Sequence, residues 1–369
     1  MTATVLVVGA SGVVGTAAVE KFLSEGWRVV AVSRRPPELA PDPANRRIDV
    51  DSLQHLSVDL RDRAACDAAF STLGSVTHVV YAAVSEQPGL VKGWRDPAQM
   101  VLNATLLRNV LDPLGAVADL EHLSLLQGTK AYGAHLHPIP VPARERAPRD
   151  PHPNFYWLQE DLVRERAAAA GWTFTILRPQ LIVGPNHGVV MNLPPIIGAY
   201  AALRRDEGKP FSFPGGVPYV WEAADARLVA SVLHWAATSA VAAGETYNVT
   251  NGDVFDWRNL WPAMAEVLGV QPGPDEPVEL ATYLPAQADR WDRLVRRRGL
   301  RPIGMADLLG ESHHYADRCF AYGATTARPP TFVSTVKLRQ AGFCEVYDTE
   351  ESFCSWLYTL IERRILPRG

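Results

Sequence analysis

The chain has 369 residues, of which 47% are hydrophobic and 21% charged, an ordinary globular balance in a length that buries a full core. A formal net charge of −4 offers no basic surface for nucleic acid or an anionic membrane, and no uncharged apolar run reaches transmembrane length. Cys66, Cys319, Cys344 and Cys354 form no Cys-x-x-Cys pair, which argues against a metal site and fits a reducing, cytoplasmic setting.

From Met1 the chain runs straight into an apolar stretch, with no leader-like pattern. The run Val5–Val8 is followed by glycines and then by a helical pattern through Phe22, which Gly26 ends; a second apolar run follows at Val29–Val32. This predicts strand–helix–strand within about 30 residues. Further apolar runs at Gln54–Val58, Thr77–Ala82, His122–Leu126 and Thr173–Leu177 alternate with helical segments, one of them starting at Tyr156 and running to about Ala169. Such alternation predicts an α/β fold with a Rossmann-type, doubly wound parallel sheet covered on both faces.

After Pro179 the pattern changes. A loop and helix are expected over 184–208, a helix in "AADARLVASVLHWAATSA", and a short strand in "ETYNVTNGD". The last hundred residues read as mainly helical, with proline-rich joints near 270–285 and 328–330. The expected division is 1–180 for the nucleotide-binding unit and 181–369 for a smaller, mostly helical lid, with a strand exchanged back to the main sheet.

Gly9-Ala10-Ser11-Gly12-Val13-Val14-Gly15 follows the first strand and opens the first helix. Glycines there permit a tight turn and close approach to a pyrophosphate, and the helix aims free N–H groups at it. The second strand ends in Ser33-Arg34-Arg35 with no carboxylate. An acidic residue at that point holds the ribose hydroxyls of NAD; a guanidinium fork suits the 2′-phosphate of NADP. Asp59 and Leu60, after the third strand, either meet the adenine or cap the next helix. Ala82, after the fourth strand, completes the expected NADP(H) contacts on this side.

Tyr156 raises a question of its own. The fourth residue after it is Glu160, where many Rossmann oxidoreductases carry a lysine, and no Tyr-x-x-x-Lys occurs in the chain. There are five lysines: Lys21, Lys92, Lys130, Lys209 and Lys337. Lys130 directly follows a predicted strand, at the carboxyl end of the sheet where ligands bind in open α/β folds. Glu160 itself reads as a surface or helix-pairing carboxylate.

These residues carry a resemblance. Through "GASGVVG", "VSRRP", "EHLSLLQGTKAYG", "PNFYWLQEDLV", "WTFTILRPQLIVGPN" and "YNVTNGDVFDWRNLW" the chain resembles the extended short-chain dehydrogenase/reductases. More narrowly, it is similar to the progesterone 5β-reductase and iridoid synthase-like enone reductases. The likeness runs from the first strand to about residue 265 and thins to "STVKLRQAGF" and "FCSWL" beyond it. It implies NADPH-dependent 1,4-reduction of an activated C=C bond in a small, apolar unsaturated carbonyl compound. It also implies that the catalytic lysine comes from a G-x-K-x-Y loop, here Gly128 to Tyr132, and that Tyr156 is its partner.

On that resemblance Tyr156 donates a hydrogen bond to the developing enolate, and the Lys130 ammonium stabilises the charge and is expected to depress the tyrosine pKa. Pro179 and Ile182 add backbone contacts to the cofactor. Gly128, Asn192, Tyr200 and Tyr315 are expected to face the substrate, with a helix packed on the sheet an equal explanation of Asn192 and Tyr200, and Asp225 is expected to hold the lid helix. Trp157 departs from the second tyrosine common in plant members, and the loop over 131–153 is shorter than theirs. His313-His314 lacks a third ligand for a metal. Two other readings stay open: an NADPH-dependent carbonyl reductase on the same residues, and a non-catalytic NADP-binding regulator. Whether the chain forms a homodimer also stays open.

Overall fold

Successive residues of the first strand point into opposite hydrophobic layers, and the architecture follows from that alternation. The computed structural model describes residues 3–39 and 49–369. Val5 and Val7 of β1 (Thr4–Val8) pack with Phe22 of α1 (Val13–Ser24), while Leu6 and Val8 face the other side. β2 (Arg28–Val32) repeats the pattern, with Val29 and Ala31 on the α1 side and Val30 and Val32 opposite. Phe22 is wholly buried, as are Leu6 and Val7. Each such large apolar side chain stabilises the fold by roughly 1.5–3 kcal/mol against leaving it in water.

The remaining strands on this half are β3 (Leu53–Leu56), β4 (His78–Tyr81), β5 (His122–Leu126) and β6 (Thr173–Pro179). With the later strand Thr246–Val249 they form one seven-stranded parallel sheet. Its order is Thr246–Val249, β6, β5, β4, β1, β2, β3, so the chain reverses direction across the sheet between β1 and β4. That reversal opens a crevice at the carboxyl ends of the strands. β3 is shorter than the apolar run Gln54–Val58, because its ladder with β2 closes at the pair Val32–Leu56. Helices α2 (Arg63–Phe70), α3 (Pro97–Gly115) and α4 (Phe155–Ala170) cover one face through Phe70, Leu107, Val110 and Val163.

The other face is covered by α1 together with α6 (Ala226–Thr238), whose Leu228, Val229 and Val232 join the same core. So α6 and the strand Thr246–Val249 lie with the sheet although they follow residue 180. The lid proper has its own core around α5 (Pro194–Asp206), with Trp257, Trp261, Trp291, Phe320 and Phe353 all buried. Phe211 stacks on Trp261 at 4.4 Å between centroids and 17° between planes. Among the described residues, no helix is long and apolar enough to cross a membrane.

Candidate active site

The phosphate-loop glycines are where a side chain has no room. Gly9 has φ +88°, and a Cβ on it would sit 2.8 Å from the Ala82 backbone; one on Gly15 would overlap the Gly9 carbonyl. Helix α1 begins after Gly12 with no side-chain cap, leaving its first N–H groups for a ligand. Thr16 Oγ1 donates to the Ala10 carbonyl at 3.0 Å, and Asn186 Nδ2 donates to Thr16 Oγ1 at 2.8 Å, which braces the loop from behind. Gly9, Ser11, Gly12, Val13, Val14 and Gly15 all line one cleft of about 960 Å³ at the carboxyl edge of the sheet. The residues fit a dinucleotide: a backbone cradle, free amides and a long trough.

Farther along the trough, Ser33, Arg34 and Arg35 line the same cleft, as do Asp59, Leu60 and Ala82. Ser33 Oγ donates to the Arg35 carbonyl at 2.6 Å and so sets the turn that presents both arginines. Asp59 does not cap α2; Asp62 does, accepting from Ala65 N at 3.0 Å. Asp59 instead pairs with Arg61, whose hydrogen bonds pull its carboxyl down to about 2. Ile182 lines the cleft from beyond β6.

Asn154 is the N-cap of α4, its Oδ1 accepting from Tyr156 N at 3.1 Å, and its Nδ2 donates to the Lys130 carbonyl at 3.2 Å. One asparagine therefore fixes both the helix that carries Tyr156 and the turn that carries Lys130. Both side chains line the cleft, and Lys130 is the one lysine that does so among the described residues. Lys130 Nζ lies 4.4 Å over the Trp94 ring and 6.0 Å from the centroid of the Tyr156 ring. Its ion-pair partner is Glu86, at 3.4 Å, a carboxylate that is fully buried and also accepts from Gln99 Nε2 at 2.7 Å. Burial pushes the Lys130 pKa down, and Glu86 works against that.

The expected depression of the Tyr156 pKa is not what this geometry produces. Burial raises it well above the usual phenol value, and the nearby Glu86 charge raises it further. Tyr156 therefore stays a protonated donor across the neutral range.

Glu160 is not a surface residue either. It is 4% exposed, and its Oε2 accepts from Gln127 Nε2 at 3.0 Å while Arg149 and Arg164 reach Oε1 at 3.0 and 2.9 Å. Arg178, also buried, donates to Gln127 Oε1 at 2.9 Å and lies 3.8 Å from Glu160. Burial pushes the Glu160 carboxyl up, but the hydrogen bonds from Arg149, Gln127 and Arg164 outweigh it and hold it low. The position four residues after Tyr156 thus anchors the floor of the site instead of serving it chemically.

Several expected contacts stand away from the cleft. Gly128 and Pro179 are not among the residues that line the cleft, although a Cβ on Gly128 would be 3.3 Å from the Tyr156 hydroxyl and 3.5 Å from the Pro179 carbonyl. Asn192 is fully buried, its Nδ2 donating to the Gly184 and Asn186 carbonyls, and so builds the loop after Val183. Tyr200 is fully buried between Phe211 and Tyr283 in the lid core. Tyr315 packs on that core from the helix Ser312–Cys319 and does not line the cleft. Asp225 caps α6 and binds Arg227 and the Trp356 indole, a structural role.

Glu86, Gln127, Gln159 and His313 line the cleft without having been expected there. Glu86 and Gln127 each follow a sheet strand closely, so the strand-end rule that picks Ala82 and Gly128 extends to them. His313 has no comparable local signal; the lid brings it in. Among the described residues no group of histidine, cysteine and carboxylates is arranged to hold a metal ion.

A family model described as a PRISE-like Rossmann-fold domain matches residues 5–319. The (S)-8-oxocitronellyl enol synthase CYC2 of Camptotheca acuminata is 31% identical over 80% of this chain and 77% of its own length. The short chain dehydrogenase gsfE of Penicillium aethiopicum is 28% identical, with 100% of both chains covered. Among solved structures, UDP-glucose 4-epimerase from Bifidobacterium longum, in complex with NAD+ and UDP, aligns with a TM-score of 0.66 at 16% identity, covering 98% of this chain and 99% of that one. At that identity the likeness speaks for the fold alone.

Proposed function

The chain belongs to the PRISE-like Rossmann-fold family, and from that premise we propose that it reduces the C=C bond of a small unsaturated carbonyl compound in a 1,4 sense. At the coarser level it is an extended short-chain dehydrogenase/reductase, an oxidoreductase that works with a nicotinamide dinucleotide. Residues 9–15 would hold its pyrophosphate, and Arg34 and Arg35 the 2′-phosphate of NADP(H). When bound, the reduced cofactor supplies a hydride to the β-carbon of the acceptor.

Charge then develops on the acceptor's carbonyl oxygen. The Tyr156 hydroxyl donates a hydrogen bond to that oxygen, and its raised pKa keeps the proton available to do so. The Lys130 ammonium adds a positive field from beside Trp94 and pairs with Glu86. Asn154 keeps both in register. The α-carbon then takes a proton from solvent. Gly128, where other short-chain dehydrogenases carry a serine, leaves the tyrosine hydroxyl uncrowded.

The observation that carries this reading is the split pair: a buried tyrosine whose own helix offers Glu160 to arginines, with the lysine entering the cleft from the turn after β5. The test is to supply purified protein with NADPH and a panel of cyclic and acyclic enones and enals, and to identify products by mass spectrometry. Saturated carbonyl products that vanish with Tyr156→Phe are expected. Allylic alcohols as the sole products would move the assignment to carbonyl reduction.

A further inference from the structure

From the segment around residue 311 the cleft is lined by two polar residues that nothing in the reaction above employs, Glu311 and His313. His313 opens the helix Ser312–Cys319, is 8% exposed, and lines the cleft. Its Nδ1 is buried with no hydrogen-bond partner among the described residues. The same cleft is lined by the apolar Pro285, Met305 and Leu309 and by Glu86, Lys130 and Tyr156. Folded proteins rarely leave a buried ring nitrogen unpaired, and where they do a missing partner is the usual explanation.

The ring is held in place by its neighbours. Glu311 Oε2 accepts from Gly89 N at 2.9 Å. Ser312 Oγ donates to the Val189 carbonyl at 2.8 Å and accepts from Asn192 N at 3.1 Å. His314 covers one face of the imidazole, with centroids 4.2 Å apart and planes 38° apart. So the two residues before His313 are tied to the loop after β4 and to the segment before α5, and its side chain is presented to the cavity by rigid attachment.

We propose that His313 is a specificity-determining residue whose imidazole hydrogen-bonds an uncharged oxygen, a hydroxyl or carbonyl, that the acceptor carries away from the carbonyl facing Tyr156. This rests on the reduction proposed above. The substrate is preferred over the cofactor as the partner because the expected cofactor contacts lie along the sheet edge, whereas His313 comes from the lid. Burial, and then His314, push its pKa down to about 4, so the ring is neutral near pH 7 and offers one donor and one acceptor nitrogen. A neutral ring matches an uncharged oxygen better than a carboxylate.

The experiment compares matched enals that differ only in a terminal hydroxyl, over several chain lengths, with wild type, His313→Phe and His313→Gln. Wild type is expected to show a KM lower by at least about tenfold for the hydroxylated member at one chain length. In His313→Phe that KM ratio should collapse toward one with no matching change in the kcat ratio, and His313→Gln should keep part of it. Absence of any wild-type preference would overturn the proposal. So would a ratio preserved in His313→Phe, or a loss confined to NADPH affinity. Calorimetric titration of the corresponding saturated aldehydes, with and without the hydroxyl, into NADP+-loaded protein reads the same discrimination without turnover. A protein that reduces no enal but keeps this binding preference through His313 would sink the reductase reading and leave the recognition intact.

Discussion

Lys130 and Glu86 form an ion pair at 3.4 Å inside the cleft, with the glutamate side chain fully buried and the lysine side chain 16% exposed. The pair joins the turn after β5 to the loop after β4 across the place where the acceptor is proposed to react. Tyr156 is a donor because the phenol is buried among Phe155, Ala131 and Met100, and the Glu86 charge raises its pKa further.

Removing one partner should therefore cost more than turnover. Lys130→Met leaves Glu86 as an uncompensated buried charge, and unfolding free energy should drop by roughly 3 kcal/mol. The double variant Lys130→Met/Glu86→Gln should regain most of that stability and remain inactive. Urea denaturation midpoints with parallel NADPH-oxidation assays separate the two effects. Equal stability of the single and double variants would refute the coupling.

Cofactor choice should depend on Arg34 and Arg35. A charge-assisted hydrogen bond contributes roughly 1.5–3 kcal/mol, so Arg34→Ala should weaken NADPH binding by about 10- to 100-fold and leave NADH nearly unchanged. Fluorescence titration with each dinucleotide checks this. Arg35 also donates to the Gly188 carbonyl at 3.4 Å, so Arg35→Ala is expected to loosen the lid segment as well.

Glu160 should behave as a structural anchor. Glu160→Ala strips Arg178 of its nearest carboxylate and frees Gln127, at a cost of roughly 3–5 kcal/mol. Glu160→Gln keeps the acceptor for Gln127 and should lose less. Thermal melts of both variants, compared with wild type, test the order. A melting point for Glu160→Ala equal to wild type would return this residue to the surface role its sequence position implies.

Stability should fall on the acid side for a reason that lies outside the cleft. His122 is buried between Thr173 and Ser124, and burial pulls its pKa from 6.5 to about 4; His78, beside it, is also pulled down by burial. The folded state keeps the His122 ring neutral, so between pH 6.5 and about 4 the unfolded chain binds more protons. That contribution is complete above pH 6.5 and is lost as pH falls through the window, amounting to roughly 3 kcal/mol for His122, and His78 acts in the same direction. Urea midpoints measured from pH 7 to pH 4.5 should decline, and His122→Asn should flatten the slope.

Much of the site was legible before the structure because its requirements are local. The glycine loop needs backbone conformations only glycine supplies, Arg34 and Arg35 sit at a strand end, and a scan of five lysines against one tyrosine leaves Lys130. The strands were legible for the same reason, since alternation over four or five residues reports which faces are buried. For Tyr200 and Asn192 the sequence offered a substrate contact and helix packing equally, and in the structure Tyr200 lies buried in the C-terminal core while Asn192 bonds to its own loop.

Glu160 and His313 mark the limit. By sequence Glu160 is a surface or helix-pairing carboxylate, and the pairing with Arg164, four residues on in the same helix, is local; nothing local shows that Arg149 and Arg178 join it from a loop and a strand. Glu86 likewise becomes Lys130's partner only when two strand ends are laid side by side. By itself, then, the chain determined the Rossmann sheet and the glycine loop, and it singled out the tyrosine and lysine that line one cleft. Tertiary structure alone decided how burial and Glu86 shift those two and which residues of the C-terminal part share their cleft. Electrostatics in a buried site depend on distances across the fold, and those exist only once the lid and the sheet have packed.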